Sequence, residues 1–78
     1  MNPLLEQITT FKELFYNNKI QIFNEKEIKR LFKYIKKLKI ILQSKNNSNM
    51  VNKLLSKYYL YKINKLLLKN NLQHYKFG

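Results

Sequence analysis

A chain of 78 residues without cysteine carries a formal net charge of +12, with a pI near 10.0. A domain this short hides only roughly 60% of its unfolded surface; disulfides and cysteine-ligated zinc are excluded, so a partner is the expected support. Sixteen basic residues against four acidic ones are costly in a free compact state and favourable beside a polyanion.

Asn2 and Pro3 open the first predicted helix. Asn2 suits the cap and Pro3 the first helical position, where its missing N–H costs nothing. Leu4, Leu5, Ile8, Phe11 and Phe15 follow helical spacing, with Leu14 beside them, and Asn17-Asn18 ends the run. Residues 19–23 then alternate, Ile20 and Ile22 against Lys19 and Gln21, before Phe23. The period of two describes a short extended link whose isoleucines plug the core, or an edge strand that pairs with a partner.

Asn24-Glu25-Lys26-Glu27 has the form of a capping box: Asn24 accepts from a first-turn N–H and Glu27 reaches back to the Asn24 N–H. The second helix is predicted from there to about Leu42. Ile28, Leu31, Phe32, Ile35, Leu38, Ile41 and Leu42 form its apolar face. Lys26, Lys29, Arg30, Lys33, Lys36, Lys37 and Lys39 cover the remainder. No acidic residue follows Glu27 to balance them, whereas an ordinary solvated face mixes both signs.

Residues 44–49 are polar and read as a loop, with Ser48 or Asn49 capping a third helix. That helix carries Val51, Leu54, Leu55, Tyr58, Tyr59, Ile63, Leu66 and Leu67. This apolar face is broad and drifts, which suits a helix touching more than one surface. Lys53 and Lys57 lie one turn apart, as do Lys62, Lys65 and Lys69. Asn70-Asn71 ends the helix, and residues 72–78 are expected to be an irregular tail.

Charge divides the chain unevenly. Residues 1–24 balance Lys12 and Lys19 against Glu6 and Glu13; residues 25–78 hold the other fourteen cations against Glu25 and Glu27, which leaves the whole +12 there. Arg30 is the only arginine, and asparagine, lysine and isoleucine abound while alanine and aspartate are absent. A very AT-rich genome imposes that bias, and organelle genomes, some parasites and some endosymbionts fit it. It competes with selection for charge, so only the placement of the lysines argues for function. The longest apolar run, residues 58–61, is far short of the ~20 residues that span a bilayer. Glu6 and Glu13 make the first residues a poor transit peptide; a protein made inside its own compartment needs none.

No catalytic constellation is visible, and neither enzyme, cofactor nor metal is expected. His74 is the only histidine and lies in the tail, and Gly78 is the only glycine, so no phosphate-cradling loop exists. Tyr58, Tyr59 and Tyr61 are the other notable cluster. Tyr58 as core with Tyr59 and Tyr61 at the rim is the plain interpretation. The functional one stacks a ring on a base or buries it in a protein partner, and a chain too small to bury all three favours an interface. Basic amphipathic helices also lie on anionic lipid; the lack of tryptophan, and two helices able to bury their stripes on each other, weigh against that here.

At the second and third helices the chain resembles the bacterial-type small-subunit ribosomal protein eighteen family. Phe23-Asn24-Glu25-Lys26-Glu27-Ile28 stands where the family has I-D-Y-K-D and the next apolar residue. Leu31, Tyr34 and Ile35 follow at the family spacing, and Lys39-Ile40-Ile41 resembles its K-I-L step. Ser44, Lys45 and Asn47 occupy the place of its basic loop; Tyr61-Lys62, then Lys65, Leu66 and Leu67, resemble its closing motif. The resemblance covers about residues 15–70. The family's loop arginines are reduced to Lys45, and its closing alanines are missing. Ribosomal protein fifteen, echoed in Lys53-Leu54-Leu55-Ser56-Lys57, fits less well because its loop elements are absent.

The resemblance implies ribosomal RNA binding beside ribosomal protein six, and makes Ile20, Ile22, Phe23, Tyr59 and Tyr61 candidates for protein contact. The expectation is therefore a single all-α domain of three helices with a short extended link between the first two: a neutral arm over 1–23, a basic helix-loop-helix body over 24–71 and a tail over 72–78. Its expected role is a structural constituent of the small subunit of an organellar ribosome, mitochondrial before plastid. Lys45, Lys53, Lys57, Lys62, Lys65 and Lys69 are the leading RNA-phosphate contacts, with Arg30, Lys33 and Lys37 next. An accessory subunit of an organellar membrane complex and a small helical DNA-binding protein are the alternatives.

Overall fold

A computed structural model of the chain describes residues 3–21, 24–44 and 49–78. The expectations for Asn2, Ile22, Phe23, Lys45, Asn47 and Ser48 lie outside these residues. Three helices are present, α1 (Pro3–Tyr16), α2 (Glu25–Gln43) and α3 (Met50–Lys69), followed by a short 3₁₀ turn, Gln73–Tyr75. The described residues contain no strand, and the chain is a small all-α protein.

Asparagine punctuates these helices at both kinds of end. The Asn24 side chain accepts from the N–H groups of Lys26 (2.9 Å) and Glu27 (3.3 Å), and that of Asn49 from Val51 (2.8 Å). Each satisfies donors that a first turn leaves orphaned. At the far ends, Asn18 and Asn71 take left-handed backbone, φ 58° and 59°. After α1, the Lys19 N–H bonds Leu14 and the Asn18 N–H bonds Phe15; after α3, the Leu72 N–H bonds Leu67 and the Asn71 N–H bonds Leu68. This is the Schellman closure, usually made with glycine. With glycine used once in the whole sequence, asparagine fills the role because its short polar side chain tolerates that conformation.

α2 and α3 form an antiparallel hairpin, tied where Glu27 in the first turn of α2 meets Lys69 and Asn70 at the end of α3. Leu31, Ile35 and Leu38 of α2 are buried against Ile63 and Leu67 of α3. α1 lays Ile8 and Phe11 on this hairpin. Phe32 receives Phe11 and Phe15 at ring distances of 6.3 and 4.8 Å. Ile20 completes the core with 3% of its surface exposed. It is thus a plug in the chain's own interior, with no surface left for the partner contact the resemblance implied.

Two further expectations are corrected. The tail is ordered: Phe77 is buried at 4% exposure, and Tyr75 and Phe77 both meet the Phe11 ring edge-on, at 6.4 and 5.7 Å. Asn64 of α3 holds it with two bonds, accepting from the Phe77 N–H (2.8 Å) and donating to the Phe77 carbonyl (3.0 Å). Tyr58 is not core. α3 faces its neighbours with Asn52, Ser56, Tyr59, Leu60, Ile63, Leu66 and Leu67, each buried or half-buried, whereas Val51, Leu54, Leu55 and Tyr58 are exposed. A face with Asn52 and Ser56 in its first half wins because it continues into Ile63 and Leu67, the two residues α2 buries most deeply.

Candidate nucleic-acid interface

The antiparallel register of α2 and α3 decides which cations converge. Arg30 and Tyr34 sit one turn apart on α2, and Lys62, Lys65, Leu66 and Lys69 line the facing edge of α3. Together they bound an open cleft of about 240 Å³. Four of the residues named as RNA contacts, Arg30, Lys62, Lys65 and Lys69, therefore belong to one place. Arg30, Lys65 and Lys69 are exposed and Lys62 is half-buried.

Glu27 stands at one end of this cleft. Its side chain is only 10% exposed, with Oε1 2.8 Å from Lys69 Nζ and Oε2 accepting from Asn70 Nδ2 at 2.8 Å. These two bonds, Lys69 first, hold its carboxyl below the ordinary value of 4.5, with weaker help from the charges of Lys69 and Arg30. The capping-box pattern pointed the carboxylate back at Asn24; the contact with α3 draws it forward instead. Lys69 thus already has an intramolecular counter-charge. Arg30, Lys62 and Lys65 are left to supply the cleft's excess, since no acidic residue follows Glu27 in the chain.

Aromatic rings interleave with these cations. Lys62 Nζ lies 5.5 Å from the Tyr58 ring centre, Lys65 Nζ 5.9 Å from Tyr61, and Lys37 Nζ 5.9 Å from Tyr59. Such contacts hold a lysine amine over a ring face. Tyr34 and Tyr59 face each other across the two helices at 6.0 Å, and Tyr58 is 5.4 Å from Tyr59. Lys37, held over Tyr59, and Lys33 are both exposed on α2, and neither lines the cleft. Lys53 and Lys57 are exposed on the first half of α3, also off the cleft. Of the tyrosines named for protein contact, Tyr59 is half-buried by the chain itself and Tyr61 is 61% exposed.

A second basic patch lies outside the sequence-based expectations. Lys12, Lys36 and Lys39 surround Tyr16, which stacks on Phe32 at 6.3 Å, along the α1–α2 groove. Spacing within one helix could not reveal it, since its members come from two. A larger trough of about 740 Å³ between α1 and the tail is mainly apolar, and its charged lining, Glu6 and Lys76, cancels.

Among the described residues no three His, Cys, Asp or Glu side chains gather as a metal site. No described helix is long and apolar enough to cross a membrane. No protein-family model, curated protein or solved structure matches the chain. What the arrangement offers chemically is fixed positive charge beside aromatic faces, the combination that neutralises phosphates and stacks on bases or sugars.

Proposed function

We propose that the protein is a structural RNA-binding component of the small subunit of an organellar ribosome. The observation that carries the RNA part is the cleft in which Arg30, Lys62 and Lys65 converge beside Tyr34 with no acidic residue on α3 to balance them. Cations carried on two packed helices have their backbones already placed, so only the side chains are ordered on meeting phosphates, and such contacts position a protein on RNA rather than read its sequence. Exposed Tyr58 and Tyr61 beside the same lysines add ring faces for unstacked bases. The ribosomal setting rests on the resemblance across residues 15–70, and the organellar one on the asparagine, lysine and isoleucine bias.

Co-sedimentation tests this. The tagged chain is expected to travel with small ribosomal subunits at high magnesium and to leave them after ribonuclease treatment. Lys62→Glu with Lys65→Glu is expected to leave the particles while retaining its helical circular dichroism. Sedimentation that ignores both the nuclease and the charge reversal would overturn the proposal.

A further inference from the structure

Along α3, positions 51, 54, 58, 61, 65 and 68 alternate spacings of three and four, the repeat that keeps one stripe against a neighbouring helix. They hold Val51, Leu54, Tyr58, Tyr61, Lys65 and Leu68, and the chain's own fold covers none of them. Val51, Leu54 and Leu68 are each 62% exposed, Tyr61 61% and Tyr58 44%. Met50 and Leu55, also exposed, widen the stripe at its start. Ser56 and Ile63, on the opposite side of the helix in this repeat, are the half-buried and buried residues that seat α3 on the rest of the molecule. α3 is thus a two-faced helix with one seam used and one open. A lone exposed leucine is ordinary, but an ordered apolar stripe marks an interaction surface.

The charges beside the stripe select its occupant. Lys57 borders it on one side and Lys62 on the other, the positions that face a partner helix's flanks, and Lys65 sits within it; Lys69, one further turn along, is already paired with Glu27. A second copy of this chain would set these lysines against themselves, between molecules that each carry +12. RNA gains little from Val51, Leu54 and Leu68, which have no ring to stack on a base.

We propose that the outer face of α3 docks an amphipathic helix of a protein partner, one whose apolar stripe is flanked by Asp and Glu and which sets an acidic residue against Lys65. Tyr58, Tyr61 and Lys65 belong to the RNA surface as well, so what sets the docking face apart is its aliphatic part, Val51, Leu54 and Leu68, which the cleft does not use.

The test is titration of the full chain against a labelled synthetic helix matched in length to residues 51–68, with leucine on its stripe and glutamate on its flanks. Fluorescence anisotropy and gain of helicity are the readouts. The matched peptide is expected to bind at least about tenfold more tightly than a scrambled peptide of identical composition, and Leu54→Ser with Leu68→Ser to weaken it by about tenfold or more. Those two side chains are exposed, so the double variant should melt with the parent and bind RNA as before. Equal binding of the scrambled peptide, or no loss in the variant, would reduce the effect to bulk charge and overturn the proposal. So would dimers of the chain alone that the variant abolishes, which would assign the stripe to a second copy. Phosphatidylserine vesicles that bind through Leu54 and Leu68 while the peptide does not would assign it to a membrane surface, and equally sink the proposal.

Discussion

Asn64 holds Phe77 by both of its backbone groups, N–H and carbonyl, through one side-chain amide. That clip sets the Phe77 ring edge-on against Phe11 and closes the core over α1. Asn64→Ala removes both bonds and leaves two partly buried backbone groups without those partners, which costs about 1–3 kcal/mol. Phe77→Ala empties a core position and costs about 3–5 kcal/mol. In a chain this small, each kcal/mol lowers the melting temperature by about 4–8 °C. Hydrogen exchange separates local from global loss: in Phe77→Ala, α1 amides are expected to lose protection before those of α2 and α3.

Glu27 gives the protein a specific acid sensitivity. Its carboxyl ionises below the ordinary value of 4.5 because Lys69 and Asn70 favour the charged form. The unfolded chain therefore takes up this proton first as pH falls. The pair's contribution is complete above about 4.5 and is lost as pH drops from there through the lower folded value. Glu27→Gln keeps the shape and removes the charge, so its stability is expected to fall less steeply below pH 4.5 than the parent's, as read from urea midpoints across that range.

The helix ends were legible residue by residue. Asn24, Asn49, Asn17-Asn18 and Asn70-Asn71 announce where α2 and α3 start and where α1 and α3 stop, because capping is local chemistry. The seating of α3 was not legible. Two apolar stripes compete on that helix, and only the position of α2 decides that Ile63 and Leu67 go inward while Leu54 and Tyr58 stay out. Phe77 was missed because one aromatic in a short aperiodic segment has no period to read, and its holder Asn64 is a polar residue within a helix with nothing local to mark it. The same limit applies to the cleft: the lysines of each helix were visible by spacing, but the convergence of Arg30 with Lys62 and Lys65 is a property of how the two helices register.

Asn18 and Asn71 permit a direct test of the helix closures. Both have positive φ, a conformation that costs a side chain with a bulky Cβ about 1–2 kcal/mol per residue. Asn18→Val and Asn71→Val are each expected to destabilise by about that amount, while Asn18→Gly and Asn71→Gly melt at or slightly above the parent. Equal behaviour of the valine and glycine variants would contradict the closure described above.

The cleft predicts how salt should act on RNA binding. Removing one lysine or arginine from a phosphate lowers the slope of log affinity against log salt by about 0.7–0.9. Arg30→Gln, Lys62→Gln and Lys65→Gln are each expected to show a drop of that size, with nearly the same change for RNAs of different sequence. Lys53→Gln and Lys57→Gln, off the cleft, are expected to change the slope less. Isothermal titration from low to moderate salt measures it.

The ordered tail also bears on the order of events during synthesis. α1 is made first, yet the rings that cap Phe11 arrive only after both other helices, and Gly78 reaches back 71 positions to bond the Gln7 side chain. Helix pairing between α2 and α3 is a nearer-neighbour event that needs nothing beyond residue 70. A nascent chain therefore has no hairpin to receive Ile8 and Phe11 until α3 is made, and Phe11 lacks its last cover, Tyr75 and Phe77, until translation has passed Phe77. The interval in which this protein most needs shelter from aggregation is set by the time taken to make its second and third helices.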